Sequence, residues 1–266
     1  MSLNIVVCIK QVPNPDYFSK ITLDPETGAI SRKNIPTILN PVDENAIEEA
    51  LRLREQFSGK VTALSMGPPQ AKEVLDWALT LGADESVLLC DRAFAAADSL
   101  ATAYVLAAGI RKIGNVDIVL CGNESVDGAT EQVGPQVAEL LDIPHICNAT
   151  DISLPNGRQA VVRRNIEYGH LTIEGRLPLL ITVSREINQP RTATAEGILT
   201  LMDKVSRTWG LRVIEVDKEA IGLSGSPTRV GKSYEQKLER ERMILTGSVD
   251  EMVAAAIKKL KAEALV

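Results

Sequence analysis

Along the first half of the chain, short unbroken apolar runs alternate with longer stretches whose apolar residues recur at helical spacing. The runs at 4–9, 60–65, 86–89 and 117–120 are rich in β-branched residues and show little polar alternation, as strands covered on both faces require. Between them, residues 43–57, 69–81, 99–113 and 130–141 predict helices. Short strands separated by helices make βαβ units and a mostly parallel open sheet with helices on both faces. Asn40-Pro41 predicts a capped helix start with proline in the first turn, and Gly82 a glycine stop. Pro13, Pro15, Pro25 and Gly28 break up residues 11–36, a long excursion after the first strand.

The pattern changes after residue 150. Residues 160–166, 171–174 and 179–183 read as strands with little helix between them, an antiparallel extension of the sheet. Residues 184–232 hold few periodic segments and read as an arm or linker. Residues 248–264 form an amphipathic helix with Met252, Val253, Ala256, Ile257 and Leu260 on one face. The expected division is an α/β domain over 1–190 and an arm with a terminal helix over 191–266.

Composition narrows the function. Three phenylalanines, two tryptophans and four tyrosines in 266 residues argue against proteins that bind by aromatic stacking. A net charge of −6 argues against nucleic acid as a partner. No apolar run approaches the ~20 residues of a membrane span. Cys8, Cys90, Cys121 and Cys147 are widely spaced, and three of them end apolar runs, so they read as small buried hydrophobes in a reduced compartment. The first ten residues read as a strand and not as a signal peptide, so a cytoplasmic protein is expected. His145 and His170 have no neighbour at ligand spacing, and no metal site is expected. Trp77 is expected in the core, and Trp209 either at a partner or as a loop anchor.

The stretch DIVLCGNESVDGATEQVGPQVAELL, residues 117–141, carries the chemistry. A strand ends at Cys121-Gly122, a polar glycine-containing loop follows, and a helix begins. Beyond a strand's carboxyl end, a helix N-terminus offers unpaired N–H groups and the positive dipole end to a phosphate. Gly128 would permit close approach, and Thr130 and Gln132 could donate hydrogen bonds. Spacing alone leaves a second reading open, a capped helix with no ligand. The loop is neither a G-x-x-x-x-G-K-[ST] P-loop nor a G-x-G-x-x-G fingerprint, which disfavours a Lys-assisted NTPase.

These pieces stand in a recognisable order: IVVCIKQVPNP at 5–15, LNPVDENAIEEALRL at 39–53, LSMGPPQA at 64–71, LTLGADESVLL at 79–89, LCGNESVDGATEQVGPQVAELL at 120–141, RLPLLITVSREINQPR at 176–191 and GSPTRVGKS at 225–233. Over essentially its whole length the chain resembles the β subunits of electron transfer flavoproteins. The resemblance implies an adenine-nucleotide-binding type of α/β sheet, with residues 191–266 contacting a partner α subunit that carries FAD. It further implies a second nucleotide in this chain: structural AMP in the simpler group, or in the electron-bifurcating group a second FAD that takes hydride from NADH. Carried over residue by residue, that site comprises Cys8, Asn40, Pro41, Val42, Asp43, Met66, Asp127, Gly128, Ala129, Thr130, Gln132, Val133, Gly134 and Pro135. No residue of this chain is expected to be catalytic, because the cofactor does the chemistry.

KQVPN at 10–14, DRAFAAADSLATA at 91–103, VDGATEQVGP at 126–135 and GSPTRV at 225–230 resemble the bifurcating group, so FAD is expected, with AMP as the alternative. The flavin ring would then reach toward the turn at 10–16. The chain departs from the family at Tyr168 and Leu171. Where the family's docking arm projects a leucine this chain has Ala195; the resemblance implies an acyl-CoA dehydrogenase-type partner, and this departure leaves a dedicated redox partner as the alternative. A different class, a stand-alone adenine-nucleotide-binding regulator, would need a self-sufficient cover for the crevice, and the sequence shows none.

Overall fold

In a computed structural model, which describes residues 2–20, 22–23, 30–31, 35–229, 231 and 242–265, the four apolar runs become β1 (Leu3–Cys8), β2 (Gly59–Met66), β3 (Glu85–Leu89) and β4 (Ile118–Gly122). They join β5 (His145–Ser153), β6 (Gln159–Ile166), β7 (Gly169–Arg176), β8 (Leu179–Val183) and β9 (Val205–Trp209) in one nine-stranded sheet. Its order is β7-β6-β5-β8-β4-β1-β2-β3-β9. Pairing is parallel throughout except at β5–β6 and β6–β7, which form the expected antiparallel extension.

Alternation along the strands feeds two layers. On one face, α1 (Pro41–Phe57) and α2 (Lys72–Leu81) bury Val42, Ala46, Ile47 and Leu75 against Ile5 and Val7. On the other, α3 (Ser99–Ile113) and α4 (Val133–Leu141) bury Val105, Leu106 and Val137 against Val6, Cys8 and Val119. The chain first moves outward from β1 through β2 to β3. Helix α3 then returns it to β4, on the other side of β1. Strand order therefore reverses between β1 and β4, and a crevice outside the carboxyl ends of the strands is the place this architecture gives a ligand.

The chain forms two compact units, residues 1–231 and 232–266. The expected arm is laced across α1 and α2 and ends by adding β9 parallel to β3. Asn45 Nδ2 donates to the Asn188 carbonyl at 2.9 Å, and Arg191 Nε to Glu48 at 2.7 Å. Lys204 Nζ donates to the carbonyls of Leu79 and Ala83, at and just past the end of α2, at 2.7 and 2.9 Å. These are polar, long-range partnerships that hydrophobic periodicity does not register. Trp209 ends β9 and packs on the α3 layer, as an anchor would, while Trp77 stands 42% exposed on α2 instead of entering the core. The second unit contains α6 (Val249–Ala262), started by a capping box between Ser248 and Glu251. Its Val249, Val253, Ile257 and Leu260 are exposed. Among the described residues no helix is long and apolar enough to cross a membrane.

The short helix α5 (Ala195–Leu199) shows how closely the laced segment is seated. A Cβ on Gly197 would stand 2.1 Å from the Thr80 carbonyl oxygen. Gly197→Ala is expected to lower the stability of the first unit by roughly 1–3 kcal/mol through overpacking. Urea unfolding of the two proteins checks this, and an unchanged midpoint would mark the segment as a loose linker.

Candidate functional site

A cavity of about 1260 Å³ opens at the carboxyl ends of β1 to β4. Its walls are Cys8 and Lys10 after β1, Met66 after β2, the loop 91–99 after β3, and the loop from Gly122 to Gly134 after β4. Pro13, Ile35 and Thr37 of the first excursion also contribute, as does Thr228. The only aromatic side chain in the lining, among the described residues, is the buried Phe94.

Of the residues expected from the sequence, ten line this cavity: Cys8, Asn40, Asp43, Met66, Asp127, Gly128, Thr130, Gln132, Val133 and Gly134. Pro41, Val42, Ala129 and Pro135 are absent from the lining. Val42 turns into the α1 layer, and Pro41 begins that helix. Ala129 adopts φ +46° and shapes the loop, a strained conformation of the kind found at ligand clamps. Pro135 is the third residue of α4 and has no N–H to give.

Asp43 lies beneath the crevice at the reversal point. Its Oδ2 accepts the backbone N–H of Lys10 at 2.8 Å, and its Oδ1 accepts that of Gly122 at 3.0 Å. One carboxylate thus ties the end of β1 to the end of β4. Burial pushes the Asp43 carboxyl up to about 7, against the opposing pull of Asn40, the two N–H donors and the Lys10 charge. Burial, with the nearby Asp43 charge, also pushes the Cys8 thiol up to about 12, and burial raises Cys121 as well. Both are therefore packing thiols at neutral pH, not nucleophiles. Asn40 precedes α1 but does not cap it with its side chain. Its Nδ2 donates to the Glu124 carbonyl at 2.8 Å and its Oδ1 accepts the Val126 N–H at 3.2 Å, which fastens the loop after β4.

Four helices start at the crevice. The first turn of α1 carries Asp43, that of α2 carries Glu73, and α3 is capped by Asp98, which accepts the Ala101 N–H at 3.0 Å. Helix α4 begins with no side-chain cap and no acid in its first turn. A helix start of this kind, with first-turn N–H groups such as those of Val133 and Gly134, is suited to an anion. Gly134 matters for a second reason: a Cβ there would stand 2.5 Å from Thr182 Cγ2, so glycine seats the helix start close against the sheet. Gln132 Oε1 accepts from Ser99 Oγ at 3.3 Å, leaving Nε2 as its donor.

The expected site residues did not include Lys10, whose Nζ meets Asp127 at 2.6 Å, or the loop 91–99, although the turn at 10–16 and the segment 91–103 stand out in the sequence. In that loop Asp98 Oδ2 accepts both the N–H and the hydroxyl of Thr228, at 2.9 and 2.7 Å. This joins DRAFAAADSLATA to GSPTRV. Both motifs stand out in the sequence, but nothing in their spacing says that they meet.

Fold and crevice together define a doubly wound α/β protein whose ligand place is the switch point of its sheet. A family model described as the electron transfer flavoprotein domain matches residues 27–203. The chain is 43% identical over 261 residues to the electron transfer flavoprotein subunit beta of Clostridium acetobutylicum, covering 98% of this chain and 99% of the relative. It is 41% identical to the caffeyl-CoA reductase-Etf complex subunit CarD of Acetobacterium woodii, over 97% and 98% of the two chains. Identity is 36% to the acryloyl-CoA reductase electron transfer subunit gamma of Anaerotignum propionicum, over 97% and 98%. The chain belongs to the electron transfer flavoprotein family, among its beta subunits.

Asp43 gives a pH signature. Its carboxyl titrates higher folded than the ordinary 3.8, so the folded chain holds an extra proton between about 4 and about 7. The stability this contributes is present below that window and lost as pH rises through about 7. Measured against Asp43→Asn, which does not titrate, the native chain is expected to have its better relative urea midpoint at about pH 5 and its worse one at about pH 8. A difference independent of pH overturns the assignment.

Proposed function

We propose that this chain is the nucleotide-holding subunit of a two-subunit electron transfer flavoprotein of the electron-bifurcating kind. Its crevice takes FAD, with NADH as hydride donor and the FAD of an α subunit as the next carrier. The observation that carries this reading is the size and polarity of the crevice. About 1260 Å³ exceeds the roughly 300–1,000 Å³ of ordinary small-molecule pockets. Among the helices that start at the crevice, α4 alone has neither a side-chain cap nor an acid in its first turn. When bound, the flavin supplies acceptance of an electron pair and its release in single steps.

The chain's own residues bind and orient. The Val133 and Gly134 N–H groups, the Thr130 hydroxyl and Gln132 Nε2 hold the phosphates. Cys8 and Met66 offer apolar contact to the adenosine part. The turn at 10–14, with Pro13 lining the cavity, lies where the ring would meet NADH. The relatives that bear the names of acyl-CoA reductase complexes support a dedicated reductase as the redox partner. The exposed apolar side chains of α6 fit contact with the α subunit. Structural AMP is the second reading, favoured by the presence of one helix start with neither cap nor acid, which a single phosphate satisfies.

The flavin and AMP content of the purified two-subunit complex decides between them. Two flavins per heterodimer, with reduction by NADH, is the expected result; one flavin with bound AMP establishes the second reading. In the Thr130→Ala/Gln132→Ala double variant, nucleotide is expected to leave this chain while the α-subunit flavin stays. Gly128→Arg, which fills the approach beside Ser125 and Lys10, is expected to empty the site more completely. Unchanged nucleotide content in both variants would sink the placement.

A further inference from the structure

The crevice is acidic for a site that takes phosphates. Among the described residues its lining has Lys10 and Arg92 against Asp43, Asp91, Asp98, Glu124, Asp127 and Glu131. A helix start supplies only about half a positive charge. A phosphate there needs a further counter-charge within a few ångströms.

Lys10 is a cation seated on the loop that leads to that helix start, and both line the same cavity. Its Nζ donates to Ser125 Oγ at 3.2 Å and to Asp127 Oδ1 at 2.6 Å, both on the loop that runs into α4. It also lies 4.0 Å from where a Cβ on Gly128 would be. Its backbone N–H is fixed on Asp43, so the side chain springs from a stationary point. The Lys10 side chain is 47% exposed while that of Asp127 is 11% exposed. The cation therefore faces the open side of the pair, and an ammonium has three donors to distribute.

We propose that Lys10 is the side-chain counter-ion of the ligand's phosphate and that Asp127 competes with the phosphate for it. This rests on the reading that the crevice takes an adenine nucleotide. It assigns Asp127 a role opposite to that of a ligand-holding residue. The carboxylate keeps the ammonium against the loop that leads into α4, and its charge subtracts from the affinity for an anion. The two substitutions should then act with opposite sign.

The test is calorimetric titration with AMP of the two-subunit complex, freed of nucleotide in this crevice. Lys10→Met is expected to weaken AMP binding roughly tenfold to a hundredfold, the range for a charge-assisted hydrogen bond. Lys10→Arg should retain most of the affinity. Asp127→Asn should tighten binding, and that gain should shrink when Lys10→Met is also present. Unchanged affinity in Lys10→Met overturns the proposal. So does weaker binding in Asp127→Asn, which would make the pair a structural latch. Should Lys10→Met fail to fold, the sign of the Asp127→Asn effect still decides. If the native complex binds neither AMP nor FAD in this chain, the nucleotide reading itself fails, an outcome distinct from native binding that ignores Lys10.

Discussion

The backbone N–H groups of Lys10 and Gly122 leave neighbouring strands where the order of the sheet reverses, and both turn to the carboxylate of Asp43. At that point β1 and β4 send their chains to opposite faces, so neither can satisfy the other's last donor. A buried donor without a partner costs about 1–3 kcal/mol, and two lie side by side here. The third residue of α1 answers both, and the positive end of its own helix steadies the charge. The floor of the crevice is therefore held by one side chain, and the loop after β4, fastened separately by Asn40, is built upon it.

From that floor follows a division of labour among the helix starts. Helices α1 and α3 each carry their own carboxylate, Asp43 and Asp98, and Asp98 is also occupied by Thr228. Helix α2 has Glu73 in its first turn, and α4 alone has neither a cap nor an acid. A chain so poor in aromatic residues cannot grip a ligand between rings, and its crevice does not try: strand ends, small residues and backbone donors make the walls. On the reading proposed above, a nucleotide's phosphates would have one end of the crevice to occupy, which would set the direction in which the rest of the molecule extends.

The parallel sheet was legible because each central strand is an unbroken apolar run and each helix has a single apolar face. That the loop before α4 lies at the carboxyl edge of the sheet was legible because it joins an apolar strand to an amphipathic helix. Strand β5 was not, since Asn148, Thr150 and Asp151 interrupt its apolar pattern. The lacing of 184–209 was not, since Asn188, Arg191 and Lys204 act through hydrogen bonds to partners more than a hundred residues away. Within the site, the strand-end and helix-start residues could be read from local order. Lys10 and the Asp98–Thr228 contact depend on which loops the topology brings together. Pro41, Val42, Ala129 and Pro135 show the converse: proximity in sequence to a binding residue does not turn a neighbour toward the ligand.

Strand β9 has a consequence for how this protein behaves among other molecules. Without it the sheet would end at β3, whose buried, apolar Val87, Leu88 and Leu89 would present an unpaired row of backbone groups. Such an edge is a template for pairing with a neighbouring chain. The strand that covers it exposes Ser206, Arg207 and Thr208, and Arg207 is paired with Glu85. A segment that sequence alone assigns to partner contact thus also guards the molecule against aggregation. Its residues answer to the solubility of the subunit before they answer to any partner.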